Sequence, residues 1–313
     1  PHSVRDGRSA TAVTGPLAPP SRVAFLGTPA IAVPLLHAVL DAGVEVPLVV
    51  SRADARRGRR ARPTPSPVKA AAQERGLTVT DDLDAVSDAG VDLAIVVAYG
   101  RIIPAALLAR VPMVNVHFSL LPRWRGAAPV ERAILAGDER TGVCLMEVAE
   151  DLDAGAVYAR CEVPIAPSTT ASQLLDQLVD ASVPLLRGAL RNGFPVPVPQ
   201  EGAPVYADKI TSDDRHLDWR RPAVELDRVV RVGGAWTTLA GKRFKVWECS
   251  VVDEEAIDDA DRTGRPGELR GTRVICGRGA LDLDVVQIEG KGRTDAAAWR
   301  TGARVDDGVI LGG

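Results

Sequence analysis

Val91-Asp92-Leu93-Ala94-Ile95-Val96-Val97-Ala98-Tyr99-Gly100 is an almost unbroken apolar run with one charge near its start. A strand exposed on one face alternates apolar and polar residues, whereas a strand buried on both faces does not. The run therefore predicts an inner strand of a parallel sheet with helices packed on each side. Upstream, Val23-Ala24-Phe25-Leu26 leads into Gly27-Thr28-Pro29, and Val33, Leu36, Val39 and Leu40 then recur at helical spacing as far as Gly43. Thr28 is expected to cap that helix and Pro29 to take its first position. Strand, tight turn and helix make the opening unit of a doubly wound α/β fold, with a further strand over Glu45–Ser51. There is no GxGxxG, so a dinucleotide fingerprint is absent. His37 lies on the first helix, far from other ligand types, and reads as structural.

Downstream of the central run comes Met113-Val114-Asn115-Val116-His117, followed by Phe118-Ser119-Leu120-Leu121-Pro122-Arg123-Trp124-Arg125-Gly126-Ala127-Ala128-Pro129. The first five residues read as another strand. Side chains alternate along a strand, so Asn115 and His117 share a face about 6.5 Å apart. An amide and an imidazole at the end of an apolar strand have little to offer packing. In an open parallel sheet that end is where ligands bind.

The rest of the chain extends this pattern. Helices are expected from Ser66 to about Arg75, from Ile103 to Arg110, over Val130–Ala136 and over Thr170–Arg191. Strands are expected over Gly142–Val148 and Ala156–Val163, joined by the acidic turn Ala149-Glu150-Asp151-Leu152-Asp153-Ala154-Gly155. We divide the chain into a tail (1–21), a catalytic domain (22–193), a proline-rich semi-rigid linker (194–210) and a second domain (211–313). In that domain a helix to Val232 precedes short strands over Ala235–Leu239, Arg243–Val252, Arg273–Cys276 and Ala280–Gln287, the profile of a small OB-like β-barrel. The tail has no apolar core of a secretory signal and reads as a disordered segment or the remnant of a tag.

At 313 residues the chain can form two cored domains, and a net charge of −3 gives no global pull toward polyanions or membranes. Any polyanion must be held locally. The best place is Arg52 to Arg62, six arginines in eleven residues of an acidic protein. No run approaches the ~20 apolar residues of a membrane helix. The four cysteines (Cys144, Cys161, Cys249 and Cys276) show no CxxC spacing. They read as unpaired thiols of a reducing compartment, consistent with a cytoplasmic protein, and not as a metal site.

Asn115, His117 and Asp153 can form one constellation. An amide N–H and an imidazolium are donors for a developing oxyanion, and a carboxylate beside an imidazole orients the ring and favours its charged form. That suits acyl transfer through a tetrahedral intermediate. A hydrolase reading through Ser119 lacks a G-x-S-x-G elbow, and one histidine with one aspartate does not fill a zinc site.

Asn115-Val116-His117, Ser119 to Pro129, Leu152-Asp153-Ala154-Gly155, Pro65-Ser66-Pro67-Val68-Lys69, Val97-Ala98-Tyr99-Gly100 and Lys245-Val246-Trp247 together resemble the folate-dependent formyltransferases from about Arg22 to the C-terminus. Within them the match is to the branch that formylates methionine carried on initiator tRNA. The resemblance implies 10-formyltetrahydrofolate as formyl donor, no metal, methionyl initiator tRNA gripped at its acceptor stem, and a monomer. Asn115 and His117 would hold the formyl oxygen as its carbon becomes tetrahedral, with Asp153 keeping His117 protonated and helping the amine proton move. Folate contacts would come from Ser119, Leu120, Leu121 and Pro122, with Val97, Tyr99 and Gly100 lining the pterin pocket. Arg123, Trp124 and Arg125 would lie near the acceptor end. The loop with Arg56, Arg57, Arg59, Arg60 and Arg62 would engage the acceptor stem, and Lys242, Arg243 and Lys245 would add a nonspecific grip, with Lys291 and Arg293 further candidates. Phe118 stands where the family commonly has Gly, and Arg231 to Trp236 is shorter than the family's version. The alternatives are a formyltransferase acting on a small amine (a sugar or nucleotide precursor), a formyl-folate hydrolase, and a tRNA-binding module with an inactive enzyme domain.

Overall fold

The computed structural model describes residues 15–56 and 63–312. They divide into two compact units. One gathers the described residues up to Pro129 with Arg140–Pro164 and Leu175–Ala207; the other gathers Val130–Glu139, Ile165–Leu174 and the chain from Asp208 onward.

In chain order the first elements are β1 (Arg22–Gly27), α1 (Val33–Asp41), β2 (Glu45–Val50), β3 (Ala55–Arg56), β4 (Pro63–Thr64), α2 (Pro67–Glu74), β5 (Val79–Thr80), β6 (Leu93–Val97), α3 (Ala105–Leu108) and β7 (Met113–His117). They are followed by β8 (Arg125–Gly126), α4 (Pro129–Ala136), β9 (Arg140–Glu147), β10 (Val157–Pro164), α5 (Ala171–Asn192) and β11 (Tyr206–Ala207). The main sheet of the first unit has the order β10-β9-β7-β6-β1-β2-β5. Strands β7, β6, β1, β2 and β5 run parallel, and β9 and β10 are antiparallel additions at one edge.

The central run behaves as its composition demands. All five residues of β6 are buried. Ala94 and Val96 join Ala24, Leu26, Leu48 and Val50 in one apolar cluster, while Val23, Phe25, Val49 and Ile95 on the other face are also fully buried. Burying each such aliphatic side chain stabilises by roughly 1.5–3 kcal/mol, so both faces must be covered.

The start of α1 differs from expectation. Pro29 is extended, a 3-10 turn over Ala30–Ala32 intervenes, and no side chain caps either helix. Thr28 donates its hydroxyl instead to the Tyr99 carbonyl, 3.2 Å away. Ser66 does cap α2, accepting the Lys69 N–H at 3.0 Å.

The proline-rich stretch expected to act as a linker packs along the first unit over much of its length. Phe194 is buried, edge-on to Tyr158 with ring centroids 5.4 Å apart. Val198 exchanges backbone hydrogen bonds with Val157, and β11 pairs in parallel with β8. Prolines remove donors but leave alternate carbonyls and side chains free to dock, which is what this stretch does.

The second unit holds α6 (Ala223–Val232), β12 (Trp236–Leu239), β13 (Lys242–Val251), α7 (Asp259–Thr263), β14 (Leu269–Arg270), β15 (Arg273–Ile275), β16 (Ala280–Ile288), β17 (Thr294–Asp295) and α8 (Ala296–Ala303). Its sheet is antiparallel in the order β12-β13-β16-β15-β14, with β17 also on β16. Among the described residues β12 and β14 do not pair with each other, so the sheet is open where a small barrel was expected. One of its faces carries an apolar cluster that includes Trp219, Leu226, Val230, Phe244, Val246, Leu281 and Trp299. Helix packing, not strand closure, covers that face. Among the described residues no helix is long and apolar enough to cross a membrane.

Candidate active site

Strand β7 lies between β6, which it joins in parallel, and β9, which it joins antiparallel. Asn115 sits opposite Val96 and His117 ends the strand, so both stand at the carboxyl edge of the parallel strands. That is the edge predicted to bind ligand. Asn115 is half-buried, and its amide makes no hydrogen bond among the described residues.

His117 is buried, at 5% exposure. Its Nε2 lies 2.9 Å from the Trp124 carbonyl oxygen. A carbonyl only accepts, so Nε2 carries the hydrogen and Nδ1 is the nitrogen left for chemistry. Nδ1 faces Oδ2 of Asp153 at 3.6 Å, too long for a direct hydrogen bond but within ion-pair distance.

Asp153 is delivered by the turn between β9 and β10. It holds a left-handed backbone at φ +48°, which costs a non-glycine residue roughly 1–3 kcal/mol. Three hydrogen bonds, each contributing about 0.5–1.5 kcal/mol, offset that cost. Gly126 N–H donates to Oδ2 at 2.8 Å, and Gln200 Nε2 donates to the carbonyls of Asp153 and Gly155, both at 2.8 Å. Gly126 itself has φ +118°, a conformation open to glycine, with the Ala207 carbonyl 3.0 Å from where a Cβ would stand. At Gly155 a Cβ would lie 1.9 Å from the Glu147 carbonyl oxygen, so the turn can press against β9 only without a side chain there.

Sequence reading missed Gln200 altogether. The Arg125 guanidinium donates to Gln200 Oε1 through Nε at 3.0 Å and Nη2 at 2.8 Å, so it faces the linker stretch and the acidic turn. One signal was available: a lone amide in an otherwise proline- and valine-rich run.

The residues expected around the folate divide by burial. Val97, Tyr99, Ser119 and Leu121 are buried. Ser119 donates its hydroxyl to the Arg123 carbonyl at 2.7 Å, and Leu121 packs with Cys144, Met146 and Val157. Their side chains are therefore committed to the fold. Gly100 is exposed at φ +75°, and Leu120 and Pro122 are half-buried. Burial pushes the Tyr99 phenol above its ordinary value. Phe118, standing where glycine is common, is buried, with 7% of its surface exposed.

Exposed apolar side chains stand beside this edge: Leu152 next to Asp153 at 62% exposure, and Ile102 two residues past Gly100 at 91%.

Of the basic residues, Arg56 is exposed in the β3–β4 hairpin, while Arg57, Arg59, Arg60 and Arg62 lie outside the described residues. Lys242 and Arg243 are exposed and Lys245 is half-buried on β13. Arg243 stacks over Trp236 at 4.1 Å, Lys245 lies 5.3 Å from the Trp247 ring centre, and Arg293 covers the same ring at 3.5 Å. These tryptophans hold the cations in place, a role that charge counting alone does not show.

The cysteines carry no reactive thiolate. Burial pushes Cys144 up to about 11 and Cys276 up to about 12. Among the described residues no group of three His, Cys, Asp or Glu could hold a metal ion.

Two family models match the sequence: formyl transferase over residues 21–190, and formyl transferase, C-terminal domain, over residues 209–304. The chain is 42% identical over 314 aligned residues to the methionyl-tRNA formyltransferase of Cutibacterium acnes, covering 93% of this chain and 99% of the relative. It is 41% identical to the methionyl-tRNA formyltransferase of a Jannaschia species, with the same two coverages. Among solved structures, HypX from Aquifex aeolicus in complex with tetrahydrofolic acid aligns with a TM-score of 0.59 at 20% identity, over 90% of this chain and 47% of that one. An N-formyltransferase from Helicobacter canadensis, in complex with folinic acid and dTDP-3-aminofucose, aligns with a TM-score of 0.63 at 15% identity, over 83% and 98%. At those identities the likeness is one of fold.

Proposed function

The chain belongs to the formyl transferase family, and we propose that it transfers the formyl group of 10-formyltetrahydrofolate to the α-amine of methionine esterified to initiator tRNA. The observation that carries the chemical reading is the pairing of His117 Nδ1 with the Asp153 carboxylate at 3.6 Å, on the sheet edge where Asn115 keeps its amide uncommitted.

The amine nitrogen attacks the formyl carbon, and the carbonyl electrons move onto oxygen as a C–N bond forms. The Asn115 amide N–H and protonated His117 donate to that oxygen, and Asp153 balances the imidazolium charge. On collapse the bond to the donor nitrogen breaks. The proton lost by the amine is accounted for by the one gained at that nitrogen, relayed through Asp153 and a water. No covalent bond to the enzyme forms.

The pterin is read by backbone over residues 97–100 and by the turn at 149–155, with Leu120 and Pro122 packing on its flank and Leu121 contributing through its backbone. Ser119 contributes through the loop it braces. The acceptor stem is met by the basic segment Arg56 to Arg62, and Lys242, Arg243 and Lys245 add a sequence-independent grip. The catalytic region runs over 22–193, the linker over 194–210 and the tRNA-binding region over 211–313. The enzyme works as a monomer in the cytoplasm.

Transfer of labelled formyl from 10-formyltetrahydrofolate to charged initiator tRNA tests this, with charged elongator tRNA and a free amino sugar as comparisons. The expected result is formylation of methionyl initiator tRNA in strong preference to both. Equal labelling of the small amine, or release of formate without tRNA, would overturn it.

A further inference from the structure

We infer that Gln200 is a positioning residue for the formyl transfer reaction, setting the Asp153 carboxylate against His117 and itself aimed by Arg125; this rests on the catalytic reading above. A carboxamide has two hydrogens on nitrogen and two lone pairs on oxygen. In Gln200 each of these four has a partner. Nε2 donates to the Asp153 and Gly155 carbonyls at 2.8 Å each, and Oε1 accepts Nε and Nη2 of Arg125 at 3.0 and 2.8 Å.

The arrangement admits one orientation. Turned over, the amide would set its oxygen against two carbonyls and its NH₂ against a guanidinium, losing four contacts and gaining repulsion. The two carbonyls belong to residues flanking Ala154, at the tip of the turn, and one of them is that of Asp153. Holding them fixes the left-handed backbone at Asp153 (φ +48°) and so the direction in which its side chain leaves. The carboxylate then needs only the Gly126 N–H, 2.8 Å from Oδ2, to be held opposite Nδ1 of His117. Arg125 neighbours Gly126 in sequence, so the same short strand supplies both the aim of Gln200 and the anchor of Asp153. Gln200 enters from a segment 47 residues away and touches neither His117 nor Asn115 by any hydrogen bond.

The discriminating variant is Gln200→Glu. It keeps length and the partnership with Arg125, but replaces the two donors facing the turn with a lone-pair-bearing oxygen. The carboxylate of Asp153 should shift while the folate and tRNA surfaces stay intact. Misplacement of a reacting group by about 1 Å can cost 10²-fold. We expect kcat to fall roughly 10- to 100-fold, with KM for formyl-folate and for methionyl initiator tRNA each within about threefold of the parent. Asp153→Asn and the double variant complete a cycle: the pair should lose no more than Asp153→Asn alone, because the clamp acts through that carboxylate. Arg125→Lys, which keeps Gln200 but removes the two-pronged donor, should give a smaller fall in kcat with the same KM pattern. It serves also if Gln200→Glu does not fold.

Parent kcat in Gln200→Glu or in Arg125→Lys, a loss confined to KM, or additive losses in the cycle would each overturn the assignment. If Asp153→Asn is impaired while Gln200→Glu is not, the positioning role alone fails. If Asp153→Asn turns over at the parent rate, the catalytic reading fails and takes the clamp with it.

Discussion

Nδ1 of His117 faces Oδ2 of Asp153 across 3.6 Å, while the opposite ring nitrogen is tied to the Trp124 carbonyl at 2.9 Å. The ring therefore cannot rotate to present its other nitrogen without breaking a buried hydrogen bond. A fixed nitrogen, a fixed carboxylate and an uncommitted amide on one sheet edge make a site with little to reorganise, which is what electrostatic stabilisation of an oxyanion requires.

Among the described residues the Asn115 amide donates to no protein group. Asn115→Ala should lower kcat by about a hundred- to a thousandfold, corresponding to ~3–4 kcal/mol of transition-state stabilisation. Single-turnover formylation with saturating donor and acceptor measures it. Parent turnover would remove the residue from the mechanism.

Gly155→Ala tests the seating of the acidic turn. The added Cβ would lie 1.9 Å from the Glu147 carbonyl, so the turn must lift away from β9. We expect destabilisation of about 2–4 kcal/mol, in the upper range for single substitutions, together with loss of activity. Denaturant unfolding monitored by circular dichroism gives the first and the formylation assay the second.

In the second unit the Arg132 guanidinium, bonded to Asp214 at 2.7 and 3.1 Å, holds that carboxyl at about 2 against an ordinary 3.8. A depressed folded value means that the interaction stabilises fully above the unfolded value and is lost as pH falls from about 4 toward 2. After allowance for solvent screening it contributes about 1 kcal/mol. Asp214→Asn should therefore lower stability at pH 7, and the gap to the parent should close by about pH 2. A gap that persists at low pH would show that packing, not charge, holds the segment.

Lys242 is exposed on β13. If it meets phosphate, Lys242→Ala should weaken initiator and elongator tRNA alike and make the slope of log affinity against log salt shallower by roughly 0.7–0.9. Filter binding between 50 and 200 mM salt, the range over which such contacts are most sensitive, decides it. An unchanged slope would place Lys242 outside the contact.

The sheet and the edge that carries Asn115 and His117 were legible because their signals are local. A short, β-branched apolar run between turn residues fits a strand covered on both faces, as β6 is, and a two-residue period alone puts Asn115 and His117 on one side. Ser66 announces its own helix for the same reason. Less came through where the outcome hangs on distant partners. Thr28 has the right chemistry to cap α1, yet the extended Pro29 sends its hydroxyl to Tyr99. Short alternating strands suggested a barrel, but whether β12 meets β14 depends on strand curvature and on the helices filling the sheet.

Sequence by itself therefore determined the parallel sheet, the shared face of the amide and the imidazole, and the kinship carried by the motifs that follow them. Only the tertiary structure decided which imidazole nitrogen faces Asp153, how the Asp153 turn is clamped, and that a proline-rich stretch supplies the clamp. The physical reason is range. Periodicity is written in neighbours along the chain, whereas the bonds that aim Asp153 come from Gly126 and Gln200, 27 and 47 residues away, and exist only once β9, β10 and the stretch beyond α5 have packed.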